Sequence, residues 1–279
     1  MSAWRIENNL LRIVKIQHIK SENSNVKTIT FKDKLCSSAK PGQFIMVWIP
    51  GVDEIPLSVS ATHPNGSASI TVAEVGEATK ALNNMAVGDL IGIRGPFGNS
   101  FKIFGKRVLI VGGGTGMAPL MLLINRIADS NIEVEATIIE GAETRNKLIF
   151  LDELADLNRV YRGRINVFFA TEDGSYGVKG LVTDLAEKLL RKEDFDIIYT
   201  CGPEKMIRKV YELSKQYSVD IQASLERYMR CAMGICGSCL IGQYRVCKDG
   251  PVFNKTQLMN VEEYLGRIKY NEMGEKTRI

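Results

Sequence analysis

Four of the six cysteines are crowded between Cys231 and Cys247, while Cys36 and Cys201 stand alone. The crowded run reads Cys231-Ala-Met-Gly-Ile-Cys236-Gly-Ser-Cys239, and Cys247 follows after seven further residues. A C-x4-C-x2-C run with a later fourth cysteine is the spacing of plant-type 2Fe–2S centres. Such a loop must curl tightly so that three thiolates reach two irons. Gly234 and Gly237 relieve the side-chain crowding and leave backbone N–H groups free to bond sulfur. Zinc and disulfides are the other uses of clustered cysteines. Structural zinc prefers two tight pairs, whereas Cys231 and Cys236 are widely spaced and Cys247 has no near neighbour beyond Cys239. Disulfide frameworks belong to much shorter secreted chains. The spacing favours a 2Fe–2S cluster on Cys231, Cys236, Cys239 and Cys247 over both.

A second stretch carries chemistry of a different kind. Val108-Leu-Ile-Val-Gly112-Gly-Gly-Thr-Gly116-Met-Ala-Pro119 reads as strand, glycine loop and helix start. A phosphate can approach such a backbone closely and rest on the helix N-terminus. The loop does not satisfy G-x-G-x-x-G/A, because Met117 holds the last position, and no Gly-Lys-Ser/Thr follows to make a Walker loop. It indicates nucleotide binding, with a tight structural turn as the alternative. Hydrolytic groups are scarce. The two histidines, His18 and His63, read as surface or packing residues, and no H-E-x-x-H or paired-carboxylate motif occurs. That suits a protein whose cofactors do the chemistry.

The elements that must position these residues fall into three regions. The 279-residue chain has room for two ordinary domains or two plus a small appendage. Residues 11–16, 26–31, 43–49, 69–75 and 90–94 alternate like strands between Gly/Pro turns, which favours a small closed barrel or a sandwich. The rhythm then changes to buried-type strands at residues 107–111, 134–139, 165–170 and 196–200. Helical patterns separate them: residues 119–128, then Leu181, Val182, Leu185 and Leu189, then Met206, Val210, Leu213 and Tyr217. Alternation of this kind predicts a parallel sheet with covered faces. From about Ser224 the pattern is irregular and rich in Gly and Cys, ending in a polar tail expected to be mobile. A net charge of +4 without a basic stripe gives no case for nucleic acid. The first seven residues carry no apolar export signal. The longest apolar run, residues 108–124, is broken by glycines and Pro119, so no membrane span and a cytoplasmic location are expected.

Taken in order, these motifs resemble the ferredoxin–NADP reductase superfamily over nearly the whole chain. The resemblance implies an antiparallel flavin-binding β-barrel over residues 1–102, a parallel-sheet nicotinamide-binding α/β domain over 103–222, and a small iron–sulfur subdomain with tail over 223–279. Ile55-Pro56-Leu57-Ser58 matches the family's flavin motif Arg-Pro-x-Ser. Thr71, Val72 and Ala73 match its next flavin contacts, and Gly76-Glu77-Ala78-Thr79 its flavin-pyrophosphate turn. Gly95-Pro96-Phe97-Gly98 resembles its end-of-barrel turn. Gly113, Gly114, Thr115 and Gly116 match its dinucleotide loop, and Cys201-Gly202-Pro203 with Met206 the segment flanking nicotinamide. By this resemblance Ser58 and Thr79 hold the ring and phosphate ends of FAD, and Cys201 is near the hydride path. One departure is Ile55, where the family has an arginine that neutralises flavin phosphate; either Arg94 or Lys80 compensates, or FAD binds more weakly or gives way to FMN.

Residues 224–231 and 246–253 further resemble the electron-transfer subunits of dihydroorotate dehydrogenases, which carry FAD and a 2Fe–2S cluster. That implies an FMN-containing catalytic partner, as a heterotetramer of two of each, with NAD as the diffusible acceptor. The gap between Cys239 and Cys247 is short for that group, which keeps subunits of sulfhydrogenase or transhydrogenase-type complexes, or a stand-alone NAD(P)H reductase, as alternatives. On the choice of nicotinamide, Glu140 at the end of the second sheet strand suggests a ribose hydroxyl contact and NAD. Arg145 close by would instead accept the extra phosphate of NADP.

Overall fold

In the computed structural model, residues 6–130, 133–271 and 273–279 are described. Residues 1–5, which carry most of the stretch behind the expectation of no export signal, lie outside them. After a single turn α1 (Ile6–Asn9), six strands form a closed antiparallel barrel: β1 (Arg12–Ser21), β2 (Val26–Lys32), β3 (Phe44–Ile49), β4 (Asp53–Thr62), β5 (Ser67–Ala73) and β6 (Leu90–Phe97). Their order is β1-β2-β5-β4-β3-β6, closed by pairing of β6 with β1. Ile16, Ile29, Phe31, Ile45, Val47, Ile70, Ile91 and Ile93 fill the barrel and are almost fully buried. β4 is the strand that the alternation did not reveal. Asp53, Pro56, Ser58 and Ser60 break its apolar pattern, yet it pairs along β3, with Pro56 opposite Met46. The helix α2 (Glu77–Asn83) crosses from β5 towards β6.

The second half alternates as expected. β7 (Arg107–Gly113), α3 (Met117–Ala128), β8 (Glu135–Ala142), α4 (Leu151–Val160), β9 (Ile165–Thr171) and β10 (Val178–Lys179) come first. α5 (Val182–Leu190), β11 (Ile197–Cys201), α6 (Glu204–Gln216) and β12 (Asp220–Ser224) follow. The sheet order is β10-β9-β8-β7-β11-β12, all parallel. Val108, Leu109, Ile110 and Val111 are wholly buried, as a strand covered on both faces must be. Pro119 lies in the first turn of α3, where its missing N–H leaves no bond unmade. α3 also packs against β4, and its Leu122 joins the barrel core, so one helix glues barrel to sheet.

The cysteine-rich region is woven into this frame. Its elements are β13 (Leu240–Ile241), β14 (Tyr244–Arg245), α7 (Val246–Asp249), β15 (Val252–Asn254) and α8 (Lys255–Asn260). β15 pairs antiparallel with β12 as the seventh strand of the main sheet. Asn99 fastens the barrel end to it, donating to Val252 O at 2.8 Å and accepting from Val252 N at 2.9 Å. Asn254 and Gln257 cap α8 reciprocally. The polar tail is a correction to the sequence reading. Rather than trailing, it folds back as the hairpin β16 (Ile268–Tyr270) and β17 (Lys276–Arg278). Among the described residues no helix is long and apolar enough to cross a membrane.

Candidate functional site

The four clustered cysteines lie in one loop system without disulfides, Cys239 and Cys247 buried, Cys231 half-buried and Cys236 exposed. The amides of Met233, Ile235 and Cys236 point at Cys231 Sγ at 3.4–3.5 Å, and Gly234 N donates to Cys247 Sγ at 3.1 Å. Cys247 N donates in turn to Cys239 Sγ at 3.4 Å. Backbone donors converging on sulfur are what thiolates carrying a cluster need. A Cβ on Gly234 would lie 2.5 Å from the Lys248 side chain, and the φ of +77° there favours glycine as well. The mutual hydrogen bond of Cys239 and Cys247 holds the Cys239 thiol below its ordinary value and, with burial, pushes the Cys247 thiol above it. Burial opposes ionisation of Cys236, but hydrogen bonds from Ser238 and Cys231 win and lower it to about 6. Among the described residues no three His, Cys, Asp or Glu side chains gather around a single-ion position. The donor set fits a two-iron cluster.

Two cavities meet beside this loop. The smaller, about 270 Å³, is walled by Ile55, Pro56, Leu57, Ser58, Thr71, Val72, Ala73 and Thr79 from the barrel. Thr115 of the glycine loop and Ala118 of α3 close a second side, and Ser224, Leu225, Glu226, Arg227 and Met229 a third. The larger, about 660 Å³, opens over the C-terminal ends of the parallel strands, where such sheets bind ligands. Gly113, Gly114, Thr115, Pro203 and Met206 line it, with Lys147, Lys205 and Lys209 as its cations and Glu74, Glu143, Glu172 and Asp184 as its anions. Ala73, Val75 and Thr115 belong to both walls, so the two form one trough.

Several expected residues take other positions. Gly76 and Ala78 line neither cavity; Gly76 precedes α2, and Ala78 packs on the barrel core. Thr79 Oγ1 accepts from Val75 N and Gly76 N and donates to Gly76 O, all at 2.9 Å, so its hydroxyl serves the turn. Gly116 is a packing glycine, because a Cβ there would lie 2.4 Å from Gly202 Cα. Cys201 and Gly202 also line neither cavity, and burial pushes the Cys201 thiol up. Glu140 is fully buried beneath the larger cavity rather than in it, and accepts from Ile149 N at 2.7 Å. Arg145 lies over the Tyr176 ring, 5.5 Å from its centroid, and lines no cavity either. Arg94 does not replace the charge missing at Ile55. Glu54 holds it through two bonds of 2.6 and 2.7 Å, and Asn9 through a third. Lys80 is exposed on α2, away from both cavities.

The segment leading to Cys231 carries no binding motif, yet it forms a cavity wall. Arg227 is buried and pairs with Glu204 at 2.5 and 3.0 Å. Glu204 begins α6 and also accepts from Gly266 N at 2.8 Å, so one ion pair ties the cavity wall, α6 and the tail together. The charged lining of the larger cavity was likewise not singled out. The rule that ligands gather at carboxyl ends of parallel strands could have found Glu143 and Glu172, which follow β8 and β9.

Comparison with known proteins decides the family. Residues 110–212 match the oxidoreductase NAD-binding domain, and residues 226–259 the iron–sulfur cluster binding domain of dihydroorotate dehydrogenase B. A Methanocaldococcus jannaschii protein described as a probable dihydroorotate dehydrogenase B (NAD(+)) electron transfer subunit is 41% identical over 266 residues, 95% of this chain and 97% of its own. The chain belongs to the family of dihydroorotate dehydrogenase B electron transfer subunits. An Archaeoglobus fulgidus relative with the same description is 42% identical over 250 residues, covering 88% of this chain and 97% of its own. Among solved structures, a chain of an NADH-dependent reduced ferredoxin–NADP oxidoreductase, described in terms of flavin-based electron bifurcation, superposes with TM-score 0.78. It is 30% identical and covers 91% of this chain and 94% of its own. Membership of this family makes the chain an oxidoreductase component, and its cysteine loop coincides with the family's iron–sulfur domain.

Proposed function

We propose that this chain takes electrons singly from the FMN of a dihydroorotate-oxidising catalytic subunit and delivers them in pairs to NAD. In this reading Cys231, Cys236, Cys239 and Cys247 hold a 2Fe–2S cluster, and the smaller cavity, from Ile55 to Ser58 and Thr71 to Ala73, holds the ring of FAD. When bound, the cluster supplies one-electron transfer and the flavin exchanges single electrons for hydride. The chain itself binds and orients. Gly113, Gly114 and Thr115, ahead of α3 and lining the larger cavity, would hold the dinucleotide phosphate. Lys205 and Lys209 of α6 bring positive charge to the larger cavity, where a dinucleotide phosphate would bind.

The observation that carries this reading is chain continuity between cavity and cluster loop. Met229 lines the smaller cavity, and Cys231 is two residues on. Two residues span at most about 7 Å, so a cluster on Cys231 is adjacent to whatever fills that cavity. On the other side of the loop Ile235, 78% exposed, and the exposed Cys236 face outward, where a catalytic subunit would dock. The proposal extends to two copies of each subunit in the cytoplasm. A second reading, a subunit of a bifurcating transhydrogenase-type complex, is favoured by the 30% identical solved chain. Co-expression with the dihydroorotate-oxidising subunit separates the two. Dihydroorotate should bleach the cluster and flavin of the co-purified complex, and bleaching by NADPH alone would select the second reading.

A further inference from the structure

Reduction adds negative charge to a cluster that four thiolates already make anionic. Its potential therefore follows the local charge and the hydrogen bonds to its sulfurs. Given the cluster proposed above on Cys231, Cys236, Cys239 and Cys247, one further side chain acts on both. Arg245 ends β14 and pairs with Leu240 across the short hairpin that joins Cys239 to Cys247. Its side chain leaves that hairpin for the other arm of the loop, where Nη1 donates to Gly234 O at 3.0 Å.

The carbonyl it grips belongs to a peptide unit that faces a ligand sulfur. The N–H of the same unit is that of Ile235, which points at Cys231 Sγ at 3.4 Å. In a trans peptide the C=O and N–H are coplanar and point in opposite directions. A donor that holds the oxygen therefore aims the N–H at the sulfur. The guanidinium also polarises the unit, because hydrogen bonds in series strengthen one another. Gly234 is held at its other backbone group as well, since its N–H donates to Cys247 Sγ at 3.1 Å.

Asp249 fixes the guanidinium in turn. Its Oδ2 accepts from Arg245 N at 2.8 Å and from Nε at 3.3 Å. With the two side chains 37% and 27% exposed, this ion pair contributes little stability. Its consequence is orientation: Nε is occupied, and Nη1 is turned to the loop. Lys248 is the contrasting cation. Its methylenes lie against Gly234, where a Cβ would come within 2.5 Å of Cδ. Its ammonium makes no hydrogen bond among the described residues.

We infer that Arg245 is a positioning residue that raises the potential of the cluster, acting on Cys231 through the Gly234–Ile235 peptide. Arginine stays charged at any working pH, so its effect is constant.

The test is an anaerobic reductive titration of the full chain with its cofactors. Electron paramagnetic resonance reads only loaded clusters, and visible absorbance reads the flavin. Arg245→Met removes charge and donor together. It should make cluster reduction about tenfold less favourable, the worth of a hydrogen bond to a charged group; for one electron that is about 59 mV. The flavin potential should not move. Arg245→Lys keeps charge and a donor and should recover most of the loss. Lys248→Gln removes the same charge beside the same glycine without touching a hydrogen bond, and should shift the cluster far less. An unmoved potential in Arg245→Met, an equal fall in Lys248→Gln, or no recovery in Arg245→Lys would overturn the inference. Should Arg245→Met hold no iron, Asp249→Asn decides. It leaves every donor in place and removes a negative charge, so the potential should rise; an unchanged or lower value would overturn the inference. A wild-type chain without a two-iron signal would instead refute the cluster reading itself.

Discussion

Gly116→Ala is the sharpest perturbation of the nucleotide loop. Gly116 has φ −60° and ψ −15°, which any residue adopts, so alanine meets no backbone strain. The obstacle is contact: the new Cβ would lie 2.4 Å from Gly202 Cα and N and 2.5 Å from Cys201 C. Carbon atoms pack at about 3.5–4.0 Å, so the loop and the Cys201–Gly202 turn must part by about 1 Å. Overpacking of this kind costs about 1–3 kcal/mol of stability. A 1 Å misplacement of reacting groups costs about 100-fold in rate, or about 2.7 kcal/mol in the barrier. NADH-dependent reduction of ferricyanide should therefore lose about two orders of magnitude in kcat/KM, with iron content unchanged. Gly114→Ala is the control. Its φ of +53° imposes about 1–2 kcal/mol of backbone cost, yet nothing lies within 4 Å of its Cβ, so its NADH rate should fall only a few-fold. A Gly116→Ala protein with unaltered kcat/KM, or one no worse than Gly114→Ala, would refute the reasoning.

Other outcomes follow from single features. Arg227→Ala leaves the mostly buried Glu204 carboxylate with only Gly266 N among its former donors; it should cost about 2–4 kcal/mol in urea unfolding, whereas an exposed pair such as Arg159 with Asp156 should cost under about 1 kcal/mol. Glu140 is raised from about 4.5 unfolded to about 8 folded, so its contribution is fully present below about 4.5 and is lost as pH rises through about 8. Thermal melts of wild type and Glu140→Gln should therefore agree in acid and diverge by a few kcal/mol above pH 8, with the variant the more stable; parallel curves would contradict the buried protonated carboxyl. Cys236→Ala should abolish the cluster's visible absorbance while leaving flavin bound, and Cys36→Ala should leave the cluster intact. Gly234→Ala should lower iron content per chain, because its Cβ would strike Lys248.

How much was legible in the sequence follows the physics of each signal. The parallel sheet could be read because strands such as β7 are buried on both faces and spell out their hydrophobicity. The barrel could be read from alternation and Gly/Pro turns, except β4, whose Pro and Ser residues serve a cavity wall instead of a core. The cysteine loop was readable because cluster spacing is set locally by covalent geometry. What stayed hidden depends on contacts between distant segments: the turn of residues 224–229 into the cavity, the Arg227–Glu204 pair, and β15 joining the main sheet. Glu140 misled for the same reason. Its place at a strand end resembled a ribose contact, but the turn at Ile149 and Phe150 covers it. Cys201, flanked by a motif that pointed to the hydride path, is instead the buried floor on which Gly116 packs.

The central claim is that one chain joins a dihydroorotate-linked cluster to a flavin and a nicotinamide. An anaerobic visible spectrum, with iron, sulfide and flavin analysis, on protein co-expressed with the dihydroorotate-oxidising subunit tests it most directly. Two irons, two sulfides and one FAD are expected for each copy of this chain, bleached by dihydroorotate and recoloured by NAD. Zinc in place of iron, absence of FAD, or cofactors that dihydroorotate leaves untouched would contradict it.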